Sequence, residues 1–344
     1  MKIIFCSAYH SMYHGMNVDW ETHGNISSMN LMGEPIILRN IRLLSRIVKI
    51  ENVAVPEKMP FLKKLISSMT TEFEVETYDE NVVSGTNIIQ GLEQMSLERY
   101  SDGTEIFSIN NDMALSATVH KHKPDNSYCL VPLNSIIYES ENARELLLAV
   151  VRYPWEFLDV IQKIMHASIK KTIISSKASI ARTSIIEDPC IIEDDVIVDD
   201  FCKIKGTCYI GKGSFIGMSS LVRNCMLEDD VKIGFNCEVA KSHFNGHDKI
   251  SHQNVILDSV IGKNVWFGGF SGTANVLLDR TNIRYDLGSG RLMDIGRNHF
   301  GAVVGDNSAI GAAVIILPGR YVPNDSVVQA GTIYCQQNNA VARN

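Results

Sequence analysis

The sequence lacks any apolar run approaching the roughly eighteen residues of a membrane-spanning helix, and Ile3, Ile4 and Phe5 are too few to form the core of a secretory signal. It also lacks a basic cluster: 32 Lys and Arg against 39 Asp and Glu leave a formal charge of −7, which argues against a nucleic-acid surface. Its eight cysteines include no C-x-x-C pair, so their spacing offers no ready metal or dithiol motif. Together these absences point to a cytoplasmic protein with no membrane or nucleic-acid partner. At 344 residues, 45% hydrophobic and 21% charged, the chain has ordinary globular composition and enough length for two domains with separate cores.

What is present is a period of six. Ile180, Ile186, Ile192, Val198, Ile204, Ile210, Ile216 and Val222 recur at strict six-residue intervals. That spacing fits neither a half-buried strand nor a helix, and it is the mark of a hexapeptide-repeat parallel β-helix, each hexapeptide forming one flat side of a triangular coil. Two residues before each aliphatic stand Ala178, Ser184, Cys190, Val196, Cys202, Cys208, Ser214 and Ser220, small enough for a corner beside a narrow core. Cys190, Cys202, Cys208 and Cys237 share this phase and read as buried free thiols. Hexapeptide solenoids coil left-handed, an exception to the right-handed crossover rule.

Before the coil, residues 1–150 read as alternating short strands and helices. Strands are expected at Lys2 to Ser7, Asn52 to Val55, Phe73 to Tyr78 and Glu105 to Asn110; helices follow Pro35, run from Pro60 to Ser68 and run from about Thr86 to Met95. The simplest assembly is a small three-layer α/β unit with a mainly parallel sheet. Residues 151–172 hold a linker helix, YPWEFLDVIQKIMHAS, with Phe157, Leu158, Ile161, Ile164 and Met165 on one stripe. The coil is expected over 173–335, with a tail over 336–344. Within it the hexad slips by one residue at Met226 to Asp230, resumes at Ile233 and Val239, and the pattern of apolar residues then predicts two departures from the coil. One expected excursion spans Ser242 to Gln253 with His243, His247 and His252; the other spans about Val276 to Phe300 with a turn at Gly288-Ser289-Gly290.

A packed solenoid has an inert interior, so chemistry belongs to its outer faces and excursions. Acyl transfer to an amine needs a base, donors for the tetrahedral oxyanion and anchors for the acceptor, and histidine is the usual base near neutral pH. His243 and His247 are four apart, but FNGHDK is loop-like, which removes the metal-binding value of that spacing. Solvated loop histidines are the plain alternative. Arg223 and Lys241 are eighteen residues apart, one full coil, so both cations could clamp a phosphate; two ordinary surface cations are again the alternative.

From Tyr153 to Thr332 the motifs YPWEFLDV, EVAKS, KISHQNVILDSVIGKN, GGFSGTANVLLD and FGAVVGDNSAIGAAVIILPGR resemble the acetyltransferase domain of the bifunctional glucosamine-1-phosphate N-acetyltransferase / N-acetylglucosamine-1-phosphate uridylyltransferase family, especially its archaeal-type members. The resemblance implies acetyl-CoA as co-substrate, an amino-sugar phosphate or nucleotide-linked amino sugar as acceptor, and a homotrimer with shared active sites. It implies His252 as general base, Arg223 and Lys241 as sugar-phosphate anchors, Asn275 near the acceptor amine with Asn254 also among the substrate-binding residues, and Gly269, Ala312 and Ala330 lining the coenzyme A groove. Three positions depart from the family: Val255 replaces a tyrosine, Trp266 an asparagine and Phe270 a glycine.

The N-terminal half resembles sugar nucleotidylyltransferases more distantly, through GEPIILRNIRLL, Ser84-Gly85-Thr86 and FSINNDMAL, with Asp112 at the position of the metal-binding aspartate. Where the family's glycine-rich phosphate loop should follow the first strand, the chain reads AYHSMYHGMNVDW. A reduced, inactive domain is therefore expected; the alternatives are a nucleotidylyltransferase using Asp112 and Mg²⁺, and a trimeric sugar-nucleotide-binding platform without catalysis.

Overall fold

The computed structural model describes residues 2–6, 29–46, 49–57, 59–69, 73–78, 97–99, 105–109, 119–121, 127–132, 135–139, 146–151, 153–286, 292–335 and 340–342. The chain divides into two compact units, the first ending at Val160 and the second running from Ile161 to Asn344 and including Asn30–Gly33. The expected helix of Thr86 to Met95, the Ser84-Gly85-Thr86 run and Asp112 lie outside the described residues.

In the first unit, strands Glu74–Tyr78, Asn52–Pro56, Lys2–Cys6 and Ser127–Pro132 run parallel in that spatial order, and Val119–Lys121 closes the sheet antiparallel. The parallel sheet is thus as expected. A second, antiparallel sheet of Ser135–Glu139, Leu146–Val150, Glu105–Ile109 and Leu97–Arg99 was not expected. Helix Ile36–Leu44 begins directly after Pro35 and buries Ile36, Ile37, Ile41 and Leu44, the face its apolar spacing marks. Asn40 is buried too, and its amide donates to the Ser135 carbonyl while accepting the Ile137 N–H.

The second unit begins inside helix Pro154–Ser168 and continues as a three-sided parallel β-helix. Each coil adds one strand to each of three sheets. The first face runs from Ile173–Ile174 to Arg320–Val322, the second from Ser179–Ile180 to Ser326–Val328, and the third from Ile185–Ile186 to Ile333–Tyr334. The antiparallel strand Ala340–Ala342 pairs with the last strand of the second face. All eight aliphatics of the six-residue ladder point inward, Ile192 to Val222 fully buried and Ile180 and Ile186 partly so, and Cys190, Cys202, Cys208, Cys225 and Cys237 join them in the core.

Coil length explains where the hexad breaks. On the first face Ile173 pairs with Ile191 and Ile191 with Tyr209, eighteen residues per coil. From there Tyr209, Met226, His243 and Val260 pair in turn, seventeen per coil. One residue is missing at each corner between the third and first faces, so a fixed six-residue frame drifts by one at every turn.

The expected excursion from Ser242 to Gln253 is consequently absent: His243–Phe244 and Lys249–Ile250 are regular strands of the first and second faces. The later excursion is real. Arg284–Asp286 and Leu292–Asp294 form an antiparallel hairpin, and Tyr285 packs edge-on against Phe300 with centroids 6.1 Å apart. Among the described residues no helix is long and apolar enough to cross a membrane.

Candidate active site on two corners of the coil

Where the second face turns into the third, successive coils stack the same position in one column. The carbonyls of Met218, Phe235, His252, Gly269 and Ala312 each accept an N–H from the coil above, donated by Asn236, Gln253, Phe270, Ala313 and Gly331 at 2.8–3.0 Å. Met218, Phe235, His252, Gly269, Ala312 and Ala330 therefore rise one above another at about 4.8 Å per coil. The sequence assigned His252, Gly269, Ala312 and Ala330 to one site, and the register brings all four together.

His252 is exposed. Its Nδ1 accepts the Phe235 N–H at 3.3 Å, which assigns the proton of the neutral ring to Nε2. Above it, a Cβ added to Gly269 would meet only the His252 carbonyl, at 3.5 Å, an ordinary contact. Packing does not demand glycine there; its effect is to leave the corner above the histidine bare. Ala312 and Ala330 continue the bare strip. Aromatic side chains rim it: Phe235 is 44% exposed, Trp266 50% and Phe270 63%, and the Trp266 indole N–H donates to Ser251 Oγ at 3.2 Å.

The corner between the third and first faces carries the polar candidates. Asn224, Lys241 and Asp258 occupy equivalent left-handed positions with φ of 51°, 48° and 46°. The Lys241 N–H donates to the Arg223 carbonyl at 2.9 Å. In the ladder, however, Ala240 rather than Lys241 stands over Arg223, because the coil here has seventeen residues. The eighteen-residue spacing that suggested a stacked cation pair is off by one.

Arg223 is also charge-balanced: its Nε and Nη2 donate to Glu238 Oε1 at 3.1 and 2.7 Å, with both side chains about one-third exposed. One coil higher, Asn275 Nδ2 donates to Asp258 Oδ2 at 2.5 Å, and the Asn275 carbonyl accepts the Phe300 N–H where the hairpin returns. Between the two corners lies the outer third face, with Leu221, Glu238, Val255 and Gly272 in register.

Asn254 does not reach either corner. It is fully buried in the interior column that also holds Ser220, Cys237 and Ser271; its Oδ1 accepts the Ser271 N–H at 2.8 Å and its Nδ2 donates to the His252 carbonyl at 3.3 Å. A substrate-binding role is thereby excluded for it in the folded coil. The other two histidines separate as well. His247 is exposed beside Asp230 at 3.3 Å, while His243 is fully buried on the outer first face, where its Nε2 meets the Asn30 carbonyl at 3.0 Å.

Around His243, Glu228 accepts the Met32 and Gly33 N–H groups at 2.8 and 2.7 Å, and Asn245 accepts that of Asn30. Both turn residues have positive φ, so their adjacent N–H groups form an anion-holding nest. Glu238, Asp258 and Phe235 were missed as site residues; the seventeen-residue step linking Asn224, Lys241, Asp258 and Asn275 was the available signal. Among the described residues, no group of three His, Cys, Asp or Glu side chains is placed to hold a metal ion.

The chain is similar to archaeal GlmU-type proteins. It is 30% identical over 110 residues to the bifunctional protein GlmU of Methanococcus vannielii, covering 32% of this chain and 26% of that one. It is 34% identical over 94 residues to a bifunctional sugar-1-phosphate nucleotidylyltransferase/acetyltransferase of Sulfurisphaera tokodaii, covering 27% and 23%. An uncharacterized acetyltransferase of Escherichia coli, YaiX, is 32% identical over 100 residues, covering 29% and 43%. The chain thus spans about a quarter of the length of the GlmU-type relatives and under half of YaiX. Among solved structures, a UDP-N-acetylglucosamine acyltransferase overlaps 47% of this chain and 70% of its own at 16% identity, with a TM-score of 0.30, too low to bear on the site. No family model matches the chain.

Proposed function

We propose that the coil is an N-acyltransferase that uses acetyl-CoA or a related acyl-CoA and an amino-sugar phosphate or nucleotide-linked amino sugar. The observation that carries this reading is the single column of His252, Gly269, Ala312 and Ala330: an exposed imidazole below a strip whose side chains are no larger than methyl, a surface suited to an extended pantetheine arm. The acceptor would lie along the outer third face with its amine at His252 and its anionic group toward Lys241 and Arg223. The three-residue strand Val255–Leu257 separates those corners by about 10 Å, near the span of a hexosamine phosphate.

In the reaction the amine nitrogen attacks the thioester carbonyl and a C–N bond forms. His252 takes the amine proton, the C–S bond breaks, and the proton passes to the departing thiolate. In this tautomer the basic lone pair is on Nδ1, so taking the amine proton requires Nδ1 to release the Phe235 N–H and turn toward the amine. A single long hydrogen bond to an exposed ring costs at most about 1 kcal/mol to give up. The cytoplasm supplies such donors and acceptors, and a homotrimer would let a neighbouring copy close the open strip. Mg²⁺ would enter only through Asp112.

Free-thiol release from acetyl-CoA with glucosamine-1-phosphate tests the reading. Turnover should fall at least about a hundredfold in His252→Ala with the oligomer intact. Unchanged turnover in that variant would reject His252. Absence of release with every amino-sugar acceptor would leave the coil a binding platform.

A further inference from the structure

The column that carries His252 does not end at the histidine. Directly below it on the same corner come Phe235 and Met218; one coil further down the column position is Asp200, with Phe201 next to it, and the three apolar residues Phe235, Met218 and Phe201 are 44%, 37% and 65% exposed. The corner therefore changes character at His252: bare above, apolar and bulky over the two coils below, with Phe201 extending the apolar surface beside Asp200. If the pantetheine arm lies on the bare part, its thioester carbonyl is at His252. The acyl group, pointing away from the sulfur, then continues along the column onto Phe235 and Met218. Three coils at about 4.8 Å give this apolar strip a length of about 14 Å, far more than an acetyl group covers. The edges of the strip are apolar too, with Phe270 one coil above and Val255 opening the third face at 45% exposure.

Resting on the acyltransfer reading, we infer that the transferred group is an acyl chain longer than acetyl, held on the strip of Phe235, Met218 and Phe201 below His252. The bond changes are those of the acyl transfer above; only the carbon chain attached to the reacting carbonyl differs. An acetyl group would leave the strip in water, whereas each added methylene covers part of it. For a half-covered chain the gain in kcat/KM is about twofold per methylene until the strip is filled.

The experiment compares acetyl-, butyryl-, hexanoyl-, octanoyl- and decanoyl-CoA with the full-length protein, by thiol release and by the melting shift each donor produces. The expected result is a kcat/KM optimum beyond four carbons. The octanoyl-to-acetyl ratio should fall at least tenfold in Phe235→Ala and in Met218→Ala. A profile that is highest at acetyl, or one unchanged in both variants, overturns the proposal. So does a change of oligomer mass in those variants without a change in profile, since the strip would then be a contact between copies. If no donor is turned over, the melting shifts decide separately. A larger shift with octanoyl-CoA than with acetyl-CoA, lost in both variants, upholds the strip while the catalytic reading fails; equal shifts reject the strip.

Discussion

At the scale of single residues, the most perturbed histidine is not the catalytic candidate. Burial holds the His243 pKa down to about 4, although Glu228 Oε1 lies 3.9 Å away; both carboxylate oxygens are already engaged by the Met32 and Gly33 N–H groups. Because the unfolded chain takes up the proton near pH 6.5 and the folded chain does not, stability is flat above that pH and falls as the pH drops toward 4. The loss should reach about 2 kcal/mol by pH 5, read from urea midpoints at pH 7 and 5, and His243→Gln should show no such slope. The sequence grouped His243, His247 and His252 in one loop, and only the coil register separates them into a buried residue, an exposed residue beside Asp230 and a site-facing residue. Asn254 was misjudged for the same reason: inward and outward positions alternate along each strand, and which is which depends on the frame. His252, Gly269, Ala312 and Ala330, by contrast, were assigned through motif resemblance, and they do share a column.

At the scale of elements, the six-residue ladder up to Val222 made the coil legible from sequence, because while each coil has eighteen residues the frame never shifts. Beyond it the seventeen-residue coils make a regular structure look interrupted. The corners tolerate this because one residue in the left-handed region turns the chain in each, whether that residue is Asn224, Lys241 or Asp258. The hairpin's return is less tolerant. A Cβ on Gly301 would stand 2.1 Å from the Leu257 carbonyl and 2.2 Å from Ser259 Oγ. Gly301→Ala should therefore cost on the order of 2–3 kcal/mol and lower the melting midpoint by roughly 5 °C or more, as calorimetry would record. In the first unit, strands Lys2–Cys6, Asn52–Pro56, Glu74–Tyr78 and Glu105–Ile109 and helices Ile36–Leu44 and Pro60–Met69 lie where alternation and helical spacing put them, whereas Val119–Lys121 and Ser127–Pro132 of the first sheet were not expected. The second sheet was not foreseen, because pairing between distant short strands leaves no local signature.

At the scale of the whole molecule, the outer third face carries exposed aliphatics, Ile185 56%, Val255 45%, Ile315 41% and Ile333 64%, interrupted by Lys203, Glu238 and Gly272 and continuous only toward its C-terminal end. Exposed aliphatics clustered in such a stripe favour association. A homotrimer is expected in sedimentation equilibrium, and Ile315→Glu, which places a charge in the stripe away from His252, should shift the mass toward one chain. A mass of one chain for the unaltered protein would remove the trimer from the proposed mechanism.

The buried thiols add a way to watch the coil itself. Cys190, Cys202, Cys208, Cys225 and Cys237 are spread over successive coils, and desolvation raises all of their pKa values, that of Cys208 to about 12. A thiol-labelling reagent therefore cannot reach them until the coils enclosing them open. A stack in which each coil touches only its neighbours should fray from its ends. Labelling followed by peptide mapping is expected to mark Cys190 before Cys225 and Cys237; simultaneous labelling would mean that the coil opens all at once.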